Sequence, residues 1–217
     1  MSYAEQTIFL RNNPPLTREE QTMADSLSSH GKVTPTSAVY SYYFGGSFRY
    51  DTEELLASTF DAALWEDNTE SSRLSFRLPR AVVSAKDIQP YVCDDAYPLS
   101  LSMTLTKDWI FLTFDSEVED ADGYWLEAND GALRELLPIR NAIISGDYTA
   151  LYLFWRQVEA NLEEDMDADE LPCTPATPPY LELDGAAIHA FCHRFYIYED
   201  TVWAAAETVA ARGGHDR

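Results

Sequence analysis

The chain has 217 residues, of which 37 are acidic and 15 basic, a formal charge of −22. A field of that sign repels phosphate backbones and argues against direct nucleic-acid binding. A hydrophobic fraction of 46% with 13% aromatics excludes wholesale disorder, and no stretch reaches the roughly 18 apolar residues of a membrane span.

Taken in order, Tyr3 to Leu10 reads as an edge strand that ends at Asn12-Asn13-Pro14-Pro15. Thr17 with Glu20 is a capping-box pattern and opens a helix with Met23 and Leu27 on one face; Gly31 is placed as its left-handed cap. Val33 to Ser37 is extended, because Pro35 pushes its predecessor out of helical space. Tyr40, Tyr42 and Phe44 alternate with Val39, Ser41 and Tyr43 as in a strand, and Gly45-Gly46 breaks the run. Asp51, with Glu54 at the third helical position, caps a helix expected to run to Trp65 along a stripe of Leu55, Leu56, Thr59, Phe60, Ala63 and Leu64. A polar loop from Asp67 to Ser72 then leads into a strand over Arg73 to Leu78.

Ser84 to Cys93 has no dominant period. The strongest β signal follows: Leu99, Leu101, Met103 and Leu105 alternate with Ser100, Ser102 and Thr104, then Ile110, Leu112 and Phe114 with Trp109, Phe111 and Thr113. A tight turn near Thr106-Lys107-Asp108 makes this a hairpin. Glu117 to Asp122 is an acidic loop. Ala132 to Ser145 is helical with Pro138 inside it, Gly146 stops it, and Asp147 caps a helix over Tyr148 to Leu162. The acidic and proline-rich segment after it predicts three parts: a domain over 1–162, a linker over 163–180 and a helical piece over 181–217. In that last piece Ile188, Phe191, Cys192 and Phe195 share one stripe, and Asp200 caps a final helix containing Val202 and Trp203.

Catalytic patterns are absent. The three cysteines, Cys93, Cys173 and Cys192, are odd in number and scattered, so no disulfide framework is implied. His189 and His193 lie four residues apart on one helical face, a spacing that can hold a metal, but only Asp184 offers a nearby third ligand and the glutamate of a metalloprotease helix is missing. Gly45-Gly46 lacks the Lys-Ser/Thr of a phosphate loop. No cofactor, metal or enzymatic activity is expected. With no basic start followed by an apolar run, no signal peptide is expected either, and cytoplasmic residence is the expectation.

The aromatic-rich stretch from Tyr40 to Tyr50 has too few Lys and Arg around it to be a base-stacking platform. Tyrosine and tryptophan anchor protein interfaces, so Tyr42, Tyr43 and Phe44, with Phe195 and Trp203 of the tail, are the candidate partner-binding residues.

Several segments together carry a resemblance: Leu16-Thr17 with its helix, Val33 to Ser37, Phe60-Asp61-Ala62, Arg73-Leu74 with Arg77-Leu78-Pro79, Gly146-Asp147-Tyr148 with Leu151-Tyr152-Leu153 and Trp155, and Glu199-Asp200 to Ala206. In this order they resemble a family of uncharacterised bacterial proteins. Members have Trp-Gly where this chain has Phe44-Gly45, and an Asn-Trp-Gly-Thr-type loop in place of Asp67 to Glu70. The resemblance implies no activity, cofactor or catalytic residue.

The reading is an α+β fold, a small, mostly antiparallel sheet covered by helices, followed by the linker and the helical C-terminal piece. The expected function is that of a non-catalytic acidic accessory protein that binds a protein partner, a basic one among the candidates. Bacterial defence and regulatory complexes are settings where such subunits occur. The alternative is an acidic nucleic-acid mimic that inhibits a DNA- or RNA-binding protein.

Overall fold

The computed structural model describes residues 3–117, 126–165, 175–178 and 180–213. Strand β1 (Ala4–Leu10) pairs with β3 (Ser37–Tyr43) on one side and β4 (Ala62–Asp67) on the other. With β2 (Gly31–Val33), β5 (Ser72–Pro79), β6 (Leu99–Leu105) and β7 (Trp109–Ser116) they form one antiparallel sheet in the order β2-β3-β1-β4-β5-β7-β6. The seven-stranded sheet is therefore larger than the small sheet read from the sequence, and the α+β class stands.

Strand alternation feeds two cores. Ile8, Leu10, Leu64, Leu74, Phe76, Leu112 and Phe114 enter the larger one, closed by α3 (Ala85–Ile88), α4 (Gly131–Ile144), α5 (Thr149–Asp165), α6 (Ala186–Arg194) and α7 (Glu199–Gly213). Phe9, Tyr40, Ala63 and Phe111 enter the smaller one, under α1 (Arg18–Ser26) and α2 (Thr52–Ser58). Towards the β6 edge that second face presents the partly exposed Ser100 and Ser102, the polar half of the hairpin's alternation.

Local chemistry explains most boundaries. The Thr17–Glu20 capping box is present at α1, and the Asp51 side chain accepts from the Glu54 N–H at 2.9 Å at α2. Thr106 N–H closes the β6–β7 turn on the Trp109 carbonyl at 3.0 Å. Gly146, at φ 86°, ends the segment after α4, and Asp147 caps the Thr149 N–H at 2.9 Å.

Four expectations are corrected. Strand β1 is central, buried from Ala4 to Leu10, instead of an edge. Gly31 opens β2 and does not cap α1; a Cβ there would lie 2.7 Å from the Tyr40 ring. The helix from Asp51 stops at Ser58; of the stripe beyond it, Ala63 and Leu64 belong to β4, whose two faces enter different cores. Asp200 lies in the first turn of α7, not at its cap.

The C-terminal helices share the larger core. Phe191 and Phe195 are fully buried, with ring centroids 5.1 and 5.8 Å from Phe114. Each buried ring contributes on the order of 2–3 kcal/mol. Of the segment read as a linker, Glu163 to Asp165 form the last turn of α5 and Pro175 is buried. Residues 166–174, Cys173 among them, and the acidic loop at 118–122 lie outside the described residues.

A buried charge cluster ties the layers. The Asp61 carboxylate accepts from Arg77 at 2.7 Å, Arg140 at 3.4 Å and the Asn12 N–H at 2.8 Å. Arg77 also reaches the Leu56 carbonyl at 2.7 Å and lies 4.4 Å over the Trp109 ring; Arg140 Nε donates to the Arg77 carbonyl at 2.8 Å. Burial pulls the Arg140 pKa below the usual guanidinium range, and Asp61 opposes that shift. The cluster joins α2, α4, β5 and β7 and is structural. No described helix is long and apolar enough to cross a membrane.

Candidate functional site

A non-glycine residue held at positive φ costs roughly 1–2 kcal/mol, so where no packing demand explains it the position draws attention. Among the described residues three are so held: Phe44 at φ 67°, Glu70 at 72° and Tyr196 at 51°. All three lie at the same end of the molecule, where β1 begins, β3 ends and the β4–β5 hairpin turns.

Phe44 follows β3, its N–H bonded to the Tyr3 carbonyl at 3.1 Å, and its ring is 86% exposed. The loop behind it is held down by Phe48, which stacks on Tyr40 at 4.6 Å and donates its N–H to the Glu5 carboxylate at 3.0 Å. Tyr42 is tethered by its hydroxyl to Ser28 Oγ at 2.8 Å. Tyr3, Tyr43 and Tyr50 remain about half exposed around the tip. A loop anchored on both sides thus presents an aromatic ring to solvent.

Next along this end comes the β4–β5 hairpin, with Asn68 N–H on the Ala4 carbonyl at 3.0 Å and the Ala4 N–H on Asn68 Oδ1 at 2.9 Å. Asp67 organises the turn by accepting from the Thr69 N–H at 2.9 Å and the Thr69 hydroxyl at 2.7 Å. Glu70 follows in the left-handed position that closes such a turn, a position where glycine is favoured.

Tyr196 sits at the end of α6. Ile197 N–H bonds to the Cys192 carbonyl at 2.9 Å and Tyr196 N–H to that of His193 at 3.5 Å. This is the Schellman pattern, and its left-handed residue is usually glycine. The Tyr196 hydroxyl donates to the Glu70 carboxylate, joining the two left-handed residues. Beneath them Arg194 is paired with the buried Glu66 carboxylate and reaches Ser72 Oγ at 3.4 Å; the Gln6 amide donates to Glu66 as well. Glu70, Cys192, His193, Arg194, Tyr196 and Tyr198 line an open pocket of about 470 Å³.

Burial pushes the Cys192 thiol up to about 11, so it is a neutral thiol at pH 7. His189 and His193 are both exposed on α6, and among the described residues no three His, Cys, Asp or Glu group as metal ligands.

Of the residues singled out from sequence, Tyr42, Tyr43 and Phe44 come together at this end. Phe195 is fully buried next to Tyr196, so it holds the pocket's backbone and touches no solvent. Trp203 is 67% exposed on α7 and does not line the pocket. Glu70, Tyr196 and Tyr198 were not anticipated. Their signal is a missing residue type: neither Asp67 to Ser72 nor His193 to Tyr198 contains a glycine, so each turn must bend a side-chain-bearing residue. No protein-family model, curated protein or solved structure matches this chain.

Proposed function

We propose that this chain is a non-catalytic acidic protein that binds another protein through the end formed by Phe44, Tyr43, Tyr3, Glu70 and Tyr196. The observation carrying this reading is that three side chains are kept at positive φ on one end, with the most exposed of them an apolar ring on an anchored loop. Exposed aromatic anchors on a rigid support are what protein interfaces use, and their rigidity limits the entropy lost on binding. The charge of −22 favours a partner with a basic face through steering and complementarity.

The test is a photo-crosslinking phenylalanine analogue placed at position 44 in the native host, with the exposed Thr104 on β6 as control. A discrete adduct with one protein from position 44 alone is the expected result. Absence of any adduct from position 44, or equal labelling from both positions, overturns the reading. Should the adduct be a nucleic-acid-binding protein released by competing DNA or RNA, the chain acts as a nucleic-acid mimic instead.

A further inference from the structure

We infer that the pocket between the β4–β5 hairpin and the α6–α7 turn receives an arginine side chain of the protein partner, with the Glu70 carboxylate taking the guanidinium and Tyr196 and Tyr198 flanking it. This rests on the partner-binding reading and names the group recognised.

Two turns that need a left-handed residue face each other, and in both the favoured glycine is replaced by a side chain lining the pocket. If closing the turns were the only demand, glycine at 70 and 196 would meet it with less backbone strain. What the larger residues add is a carboxylate and a phenol, fixed to each other by a hydrogen bond and pre-set by the backbone. The pocket's own guanidinium is directed to other partners: Arg194 is paired with Glu66 and reaches Ser72. Glu199 and Asp200, the two residues after Tyr198 in the chain, are exposed and add negative charge next to a pocket residue. A carboxylate beside tyrosine rings suits a cation, and a planar guanidinium suits it better than a compact ammonium, since it can fork onto a carboxylate and stack on a ring. Cys192 and Ile197 supply apolar walls for the methylene stem.

The experiment uses the whole protein, isotopically labelled, titrated with N-acetyl-arginine methylamide while backbone and tyrosine resonances are followed. The lysine and glutamate analogues serve as controls. Saturable shifts confined to residues 68–72 and 192–198, with a dissociation constant on the order of millimolar, are expected. Glu70→Gly should weaken them at least tenfold while the rest of the spectrum is unchanged; that variant suits the backbone, so loss of fold is not the expected cause. Shifts spread over the acidic surface, or undiminished in Glu70→Gly, overturn the inference, as does equal binding of the lysine analogue. The titration needs no partner, so it fails separately from the crosslink at position 44: an adduct there with a silent pocket removes the arginine assignment alone, whereas a responsive pocket without an adduct counts against the protein-partner reading.

Discussion

At position 44 two opposing backbone effects nearly cancel. Relieving a left-handed phenylalanine gains about 1 kcal/mol, and the extra freedom of an unfolded glycine takes back about 0.5–1 kcal/mol. Phe44→Gly is therefore expected to leave stability within about 1 kcal/mol of the parent by urea melts, yet to abolish co-purification of a partner whose binding depends on the ring. Asp61 behaves oppositely. Asp61→Ala strands two buried guanidiniums, and breaking such a cluster from one side costs about 3–5 kcal/mol; a loss under about 1 kcal/mol would mean that water or another group satisfies Arg77 and Arg140. The cysteines give a third reading. Burial raises both Cys93 and Cys192 to about 11, so alkylation mapped by mass spectrometry at pH 8 should be slow at both in the folded protein and become fast in denaturant.

Between elements, the tail and the sheet supply the sharpest contrast. Phe195→Ala should cost about 3–5 kcal/mol, because its ring is buried among Phe114, Phe154 and Phe191. Trp203→Ala should change stability by no more than about 0.5 kcal/mol, since most of the indole is already in water. Both read alike from the sequence as candidate partner-binding residues of the tail, because a helical period marks a face without saying how much of it is covered. The same limit runs through the strands. The β6–β7 hairpin was legible since Ser100, Ser102 and Thr104 mark a face without a helix over it. Strand β4 was not: Ala62, Leu64, Ala63 and Trp65 put apolar groups on both faces, and in a list that spacing matches a helix continuing from Leu55 and Phe60. For the same reason β1, apolar on both sides at Ile8, Phe9 and Leu10, could not be told from an edge. Of the binding end, Tyr42 to Phe44 could be read as an aromatic run, but its union with Glu70 and Tyr196 depends on pairing across residues 3 to 197 that no local pattern encodes.

For the molecule as a whole, charge and burial act at different pH. With 37 carboxylates against 15 cations, self-repulsion opposes the folded state at neutral pH. Raising sodium chloride from about 20 to about 500 mM should therefore increase the melting temperature, the reverse of what a fold held by surface ion pairs would show. On the alkaline side, burial lifts Cys93 and Cys192 from an ordinary 9.0 to about 11 and Tyr91 from 10.0 to about 12, and raises Tyr40 as well. Each group holds its proton more tightly when folded. The stability it contributes is complete below its ordinary pKa and is lost as pH rises through the folded value. Unfolding free energy measured from pH 8 to 12 should fall mainly above pH 9; a flat profile would show that these side chains reach solvent.

The central position of β1 has a consequence for the nascent chain. Ala4 to Leu10 is translated before both of its neighbours, β3 and β4. At roughly 5–20 residues per second the strand waits several seconds with Ile8, Phe9 and Leu10 uncovered. Its apolar side chains then offer a binding site to whichever holding chaperone meets the emerging chain, and slow codons placed before β4 would lengthen that exposure and lower the yield of folded protein.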